Sequence, residues 1–381
     1  MLDGIYLDHL ATTPLDSRVL AVMLPILSGA PGNPHATSHR FGEAARQVVE
    51  KARAQVATAL AVRTEAVVFT PSATAANNLA VMGIAQARER HGRHVLVSAI
   101  EHPAVLEAAW ELERRGFDVE VIPVTPGGLV TPQAVAERLR PGTTLVCVMA
   151  INNEVGTIQP LAAIAELLKS SKALLHCDAA QAPGKIALAA LHLADTVALS
   201  GHKANGPCGA AALLIGRRRP VAPKPILFGG GQEGGLWPGS LNVAAIAGFG
   251  EAMSLAAAEW QTDLQRLEPL AERLSQGCMR LFPGTIRNGD VAALVPHCVS
   301  LCFAGIKGET LMALLAEAGV AASFGSACAS MKGRPSHVLT AMGLSPQRAR
   351  QSIRFGLGRF TTSHDIDRTL AILERIAKTG S

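Results

Sequence analysis

The stretch TVALSGHKANGPCGAAALLIG, residues 196–216, decides the fold. Two apolar runs, TVALS from Thr196 and AAALLIG from Ala210, read as strands buried on both faces, because a strand with one wet face would alternate apolar and polar residues. Between them lies a Gly/Pro-rich turn that sets Lys203 beside Ser200, His202 and Asn205. An amine held between two buried strands is costly unless it has a use.

Five further apolar runs lie upstream: AVVFT from Ala66, HVLVSAI from His94, VEVIPV from Val119, TTLVCVMA from Thr143 and ALLHC from Ala173. Segments of helical period separate most of them, at Ala73 to Arg90, Pro103 to Arg115, Pro132 to Leu139 and Ile158 to Lys169. This alternation predicts a mainly parallel, seven-stranded sheet wrapped by helices, with its active edge where strands end and helices begin. Beyond about Gln261 the pattern changes to a long charged helix, then CVSLCFAG, a helix from Gly308 to Ala318, and SIRFGLGRFT before a terminal amphipathic helix. The expected division is a large α/β domain over 15–261 and a smaller α+β domain built from 1–14 and 262–381. The Ala-rich run VAAIAGFGEAMSLAAAEW from Val243 reads as close helix packing, and there is no internal repeat.

A chain of 381 residues supports two such cores. Its net charge of +5 is scattered, with Arg217, Arg218 and Arg219 the longest basic cluster, which is too thin for direct nucleic-acid binding. No run reaches the roughly 18 apolar residues of a membrane span, and the start MLDGIYLDH has no basic leader, so a cytoplasmic protein is expected. The seven cysteines show no CxxC spacing, so neither a disulfide framework nor a metal site is indicated. Free cysteines usually pack as small core hydrophobes. Cys328 differs, because Ser323, Gly325, Ser326, Ala327, Ala329 and Ser330 around it suit a flexible loop.

Polar residues cluster just after the expected strands: Thr74, His102, Asn153, Asp178 with Gln181, and Ser200 with His202 and Lys203. Each alone has an ordinary structural explanation as a cap or turn residue. Together they offer an amine, a carboxylate, an imidazole ring and hydroxyls at a helix N-terminus, the set that pyridoxal 5′-phosphate requires.

The chain resembles the cysteine desulfurases of the NifS/IscS family, in the fold-type I class of pyridoxal-phosphate enzymes, over nearly its whole length. The resemblance is carried by YLDHLATTPLD, GNPHATSHRFG, EHPAVL, NNEVGTIQP, HCDAAQAPGK, SGHKANGPCG, GGGQEGG, SFGSACAS and SIRFGLGRFTT. It implies that Lys203 bonds the cofactor, that Asp178 keeps the pyridine nitrogen protonated, and that His102 stacks on the ring and moves protons. It further implies that Gln181 addresses the ring oxygen, Asn153 the substrate region, and Ala73, Thr74, Ser200 and His202 the phosphate. Arg354 would receive the substrate carboxylate, with Arg359 structural, and Cys328 would attack the sulfur of L-cysteine to leave L-alanine and a persulfide. A homodimer is implied, with Ser240 reaching the phosphate of the neighbouring subunit. The sulfur would pass to a protein acceptor, in iron-sulfur cluster assembly or thio-modification, that the sequence does not name.

Five positions depart from the family pattern. Ser72 and Ala75 stand where glycine usually precedes and glutamate follows the Ala-Thr pair, Gly234 and Trp237 replace two arginines, and Ser240 replaces a threonine. Ser72, Gly234 and Trp237 motivate one alternative, a degenerate non-catalytic member. The other keeps the cofactor for a different lyase or an aminotransferase, with Cys328 incidental.

Overall fold

After a short N-terminal strand, β1 (Ile5–Tyr6), the seven apolar runs become the seven strands of one sheet in the computed structural model, which describes residues 4–216, 222–325 and 335–379. They are β2 (Val67–Thr70), β3 (His94–Ser98), β4 (Asp118–Ile122), β5 (Thr143–Cys147), β6 (Leu174–Asp178), β7 (Thr196–Ser200) and β8 (Ala211–Ile215), in the spatial order β2-β8-β7-β6-β5-β3-β4. Strands β3 to β7 are joined by parallel pairings, and β8 runs antiparallel to both β7 and β2, so six of the seven point the same way. Only β4, at the edge, exposes part of its length, and its Asp118 and Glu120 both bind Arg140 there. A charged edge of this kind resists pairing with another strand.

Helices cover both faces. Upstream of the sheet lie α1 (Ser17–Ser28) and α2 (Arg40–Ala59), and the crossovers carry α3 (Ala73–Arg88), α4 (Pro103–Arg114), α5 (Pro132–Ala136) and α6 (Leu161–Leu167). Val95 and Val97 of β3 join the core beneath α3 and α4, whereas Leu96 points to the opposite core with Val49 and Val56 of α2. That division follows from the period-2 alternation of a strand. Helix α6 starts three residues later than the sequence predicts, because Ile158 bridges Ile151 and Pro160 opens the helix.

The charged helix expected from about Gln261 is the second half of a longer one, α7 (Val243–Leu281), so residue 261 lies inside a continuous helix. Its first half is Ala/Gly-rich because it lies close against α2: a Cβ on Gly250 would meet the Ala52 Cα at 2.7 Å. Its second half packs Leu267, Ala271 and Leu274 into a separate core with Phe303, Phe355 and Leu373. That core covers an antiparallel sheet of β9 (Ile286–Arg287), β10 (Cys298–Cys302) and β12 (Ser352–Gly356), ordered β12-β10-β9. The intervening chain forms α8 (Gly308–Glu317), β11 (Val320–Ala321), α9 (His337–Ala341) and α10 (Pro346–Arg350), and α11 (Ser363–Thr379) follows β12. Strand β1 pairs with β11, and Asp8 then bridges Gly356 at the end of β12. Among the described residues no helix is long and apolar enough to cross a membrane.

Candidate active site

At the C-terminal ends of the parallel strands a cavity of about 250 Å³ is lined by residues that the sequence scatters over more than 340 positions, from Leu10 to Arg354. Each is delivered by a local rule. Asp178 ends β6, where its Oδ1 accepts the Ala180 N–H at 2.9 Å and its Oδ2 accepts the Asn77 side-chain N–H at 2.7 Å. Neither oxygen is exhausted by one hydrogen bond, since a carboxylate offers about four acceptor positions.

Lys203 sits on a tight turn after β7, closed by the N–H groups of Ala204 and Gly206 donating to the Gly201 carbonyl. The N-terminal segment clamps this turn. Thr13 donates its hydroxyl to the His202 carbonyl at 2.8 Å and accepts the Asn205 N–H at 2.7 Å, while Asn205, at φ 57°, donates its side chain to the Pro14 carbonyl. The site lysine therefore stands on a rigid platform. Burial pushes its pKa down, Asp178 partly offsets this, and Arg354 adds to it.

His102 caps α4 with Nδ1, which accepts the Ala104 N–H at 3.1 Å. Burial lowers its pKa, so the ring is neutral at neutral pH. Glu101 beside it is fully buried; Oε1 accepts the Met149 N–H at 2.7 Å and Oε2 has no partner. Burial, with Asp178 adding to it, pushes Glu101 up to about 8, which makes it a neutral acid. A second negative charge next to Asp178 is thereby avoided.

The N-terminus of α3 opens on the same cavity through Ser72, Ala73 and Thr74. Ser72 acts as the N-cap, its hydroxyl accepting the Ala75 N–H at 3.1 Å from an extended backbone, so the missing glycine imposes no strained conformation. The first amides of the helix stay available for an anion, as helix N-termini favour. Ser200 and His202 line the same cavity.

Arg354, on β12, is 3% exposed yet reaches the cavity. Its Nη1 donates to the Asn153 and Gly325 carbonyls, each at 2.7 Å, its Nη2 lies 2.6 Å from Asp8 Oδ1, and Nε has no partner. Arg359 faces elsewhere, bound to Asp16, Glu259 and Asp263.

The residues present fit pyridoxal 5′-phosphate. Gln181 donates to the Leu10 carbonyl at 2.8 Å but leaves its buried Oε1 without a partner at the cavity wall, as a hydroxyl on a ring would require. A buried amine, an ionisable carboxylate and free helix amides complete the set.

Ten of the twelve site residues expected from the sequence line this cavity: Ala73, Thr74, His102, Asn153, Asp178, Gln181, Ser200, His202, Lys203 and Arg354. Ser240 does not; it is exposed, on the segment that Glu233 anchors by accepting from Arg53 and from the Phe69 N–H. Cys328 lies outside the described residues, although Gly325, three positions before it, lines the cavity. Sequence reasoning missed Asp8, Asn77, Glu101 and His176. Of these, only His176 carries a readable signal, because two residues before Asp178 on a strand is the same face.

The Aminotransferase class-V family model matches residues 5–369. The mitochondrial cysteine desulfurase of Arthroderma benhamiae is 42% identical over 376 residues, covering 98% of this chain and 74% of that protein. The cysteine desulfurase of Mus musculus is 41% identical over 370 residues, covering 97% of this chain and 80% of its own. A solved structure titled NifS-like protein superposes with a TM-score of 0.91 at 34% identity, covering 99% of this chain and 100% of the other.

Proposed function

The chain belongs to the class-V aminotransferase family and is a pyridoxal 5′-phosphate-dependent cysteine desulfurase, and on that premise we propose which of its residues carry the chemistry. The observation that carries the assignment is the convergence of Asp178, Lys203 and Arg354, from β6, the turn after β7 and β12 respectively, on one cavity. When bound, the cofactor supplies an electron sink that acidifies the α-carbon of cysteine and loosens its Cβ–S bond.

Lys203, whose pKa burial lowers, gives up its proton more readily than a free lysine, and its amine bonds the cofactor and then moves the substrate's α-proton. Asp178 holds the ring nitrogen protonated, Gln181 addresses the ring oxygen, and neutral His102 covers the ring face and carries protons. Ala73, Thr74, Ser200 and His202 receive the phosphate at the N-terminus of α3. Arg354 orients the substrate carboxylate, with Asn153 beside it. Cys328, as thiolate, attacks the sulfur of the bound cysteine. That sulfur ends on Cys328 as a persulfide, and the electron pair of the broken Cβ–S bond stays with the three-carbon skeleton, which leaves as alanine after protonation.

The working unit we propose is a homodimer in which Ser240 reaches the phosphate of a second copy. Two features support it: Ser240 lies away from the cavity of its own chain, and Leu24, Leu27, Phe41 and Phe228 are 56%, 63%, 46% and 84% exposed. Exposed apolar groups of this size mark interaction surfaces. The sulfur then passes to a protein acceptor, in iron-sulfur cluster assembly or thio-modification. A cytoplasmic setting is supported by the six described cysteines, which are all free thiols.

Incubation with sulfur-labelled L-cysteine tests the assignment. Equal amounts of alanine and of protein-bound label on the Cys328 peptide, released by a thiol reductant, are expected. Pyruvate, or alanine without bound label, would favour a different lyase.

A further inference from the structure

Behind Asp178 lies a chain of buried polar groups in which every donor points the same way. His176 and Thr196 are register partners on β6 and β7, and His176 Nδ1 lies 3.0 Å from Thr196 Oγ1. On its other side His176 Nε2 lies 3.0 Å from Asn77 Oδ1, and Asn77 Nδ2 donates to Asp178 Oδ2 at 2.7 Å. Thr196, His176 and Asn77 are each 1% exposed or less. Asn77 comes from α3, which packs on the face of β6 that carries both His176 and Asp178.

The direction of the chain follows from its end. An amide oxygen turned toward a carboxylate oxygen would be repelled, so Asn77 presents its NH₂ to Asp178 and its carbonyl to His176. His176 must then carry its proton on Nε2. Burial holds the imidazole uncharged, with its pKa lowered to about 4, so the bare Nδ1 accepts from the Thr196 hydroxyl. An amide does not relay protons, so this arrangement orients and polarises rather than transfers.

We infer that Thr196, His176 and Asn77 are positioning residues for the cofactor nitrogen: together they hold the Asp178 carboxylate in one rotamer, aimed at the ring nitrogen. The inference rests on the reading that Asp178 faces that nitrogen. Its physical content is that Oδ2 is held by a charge-assisted hydrogen bond whose donor cannot turn away, because the His176 tautomer pins the amide from behind. With Oδ1 held by the Ala180 N–H, both carboxylate oxygens are tied down and the group has no freedom to rotate.

The test is the ¹⁵N resonance of ring-labelled pyridoxal phosphate in the holoenzyme, together with the cofactor dissociation constant of the apoprotein. Asp178→Ala supplies the reference for an unprotonated ring nitrogen. Asn77→Ala and His176→Leu are expected to move the resonance toward that reference and to weaken cofactor binding roughly tenfold or more, as loss of a hydrogen bond to a charged group does. His176→Gln, which keeps a donor toward Asn77 and an acceptor toward Thr196, is expected to restore the wild-type signal. If His176→Leu does not fold, Thr196→Val, which keeps the shape and removes only the hydroxyl, is expected to shift the resonance in the same direction.

Wild-type resonances in Asn77→Ala and Thr196→Val, alongside a shifted one in Asp178→Ala, would overturn the inference and leave the Asp178 assignment standing. A wild-type resonance in Asp178→Ala itself would remove the assignment on which it rests.

Discussion

Asp8 Oδ1 lies 2.6 Å from Arg354 Nη2, so the guanidinium that faces the substrate cavity already holds a carboxylate from a strand end 346 positions away. Asp8 is the less buried partner, with its side chain 21% exposed against 3% for Arg354. A substrate carboxylate must share Arg354 with it. Asp8→Asn keeps the shape but removes the competing charge, so the KM for cysteine should fall several-fold while the melting temperature drops, because a buried arginine loses its counter-ion. Arg354→Ala should instead weaken cysteine binding by roughly 2–5 kcal/mol with little loss of bound cofactor. Steady-state kinetics on both variants check this; a raised KM in Asp8→Asn would mean that Asp8 serves only to position the arginine.

Lys203 has a neighbour capable of imitating it. Lys185 is fully buried, its Nζ lies 3.4 Å from the Lys203 carbonyl, and burial with the nearby Lys203 charge lowers its pKa to about 7. Of the two, Lys203 alone lines the active-site cavity. Borohydride reduction of the holoenzyme followed by peptide mapping should therefore find the cofactor fixed to Lys203, and Lys203→Ala should abolish both fixation and turnover. A labelled Lys185 peptide would reassign the site.

Cys328→Ser should separate sulfur transfer from everything that precedes it. The hydroxyl is nearly the same size, but its anion is inaccessible near neutral pH, so attack on sulfur fails. Cysteine should still perturb the visible spectrum of the variant, because Lys203, His102 and Arg354 are untouched. Alanine release at the wild-type rate would make Cys328 incidental.

Glu101 predicts a pH signature. Its pKa is raised from 4.5 to about 8, so the folded protein binds a proton that the unfolded chain has released across that interval. The associated stability is complete below about pH 4.5 and is lost as pH rises through about 8, amounting to at most about 5 kcal/mol. Glu101→Gln cannot ionise, so its melting temperature should fall less than that of the wild type between pH 5 and pH 9. Parallel slopes in scanning calorimetry would place the ionisation elsewhere.

The central sheet was legible because six of its strands are buried on both faces and read as unbroken apolar runs, and even the edge strand kept Val119, Val121 and Ile122. The long helix was harder. Its two halves differ in composition because they serve two cores, Ala/Gly against α2 and mixed charged residues beyond, so one helix reads as two. Most of the cavity-lining residues were found because they end or follow a strand, whereas Arg354, inside β12, was found through the family resemblance. Their supporting groups were not: no local pattern ties Asp8 to Arg354 or Asn77 to Asp178, since strand register and helix docking make those contacts. Ser72 shows the reverse, a departure from the family pattern that ordinary helix capping accommodates.

The clamp of Thr13 on the lysine turn also orders events in time. Its two halves are separated by 189 positions, so a ribosome adding about 5–20 residues per second exposes Thr13 roughly 10–40 s before His202 exists. During that interval Thr13 has no lysine turn to hold, and the platform under Lys203 cannot form. Cofactor capture consequently cannot begin until more than half of the chain has been made, and a nascent chain arrested before the turn after β7 would emerge without a place for it.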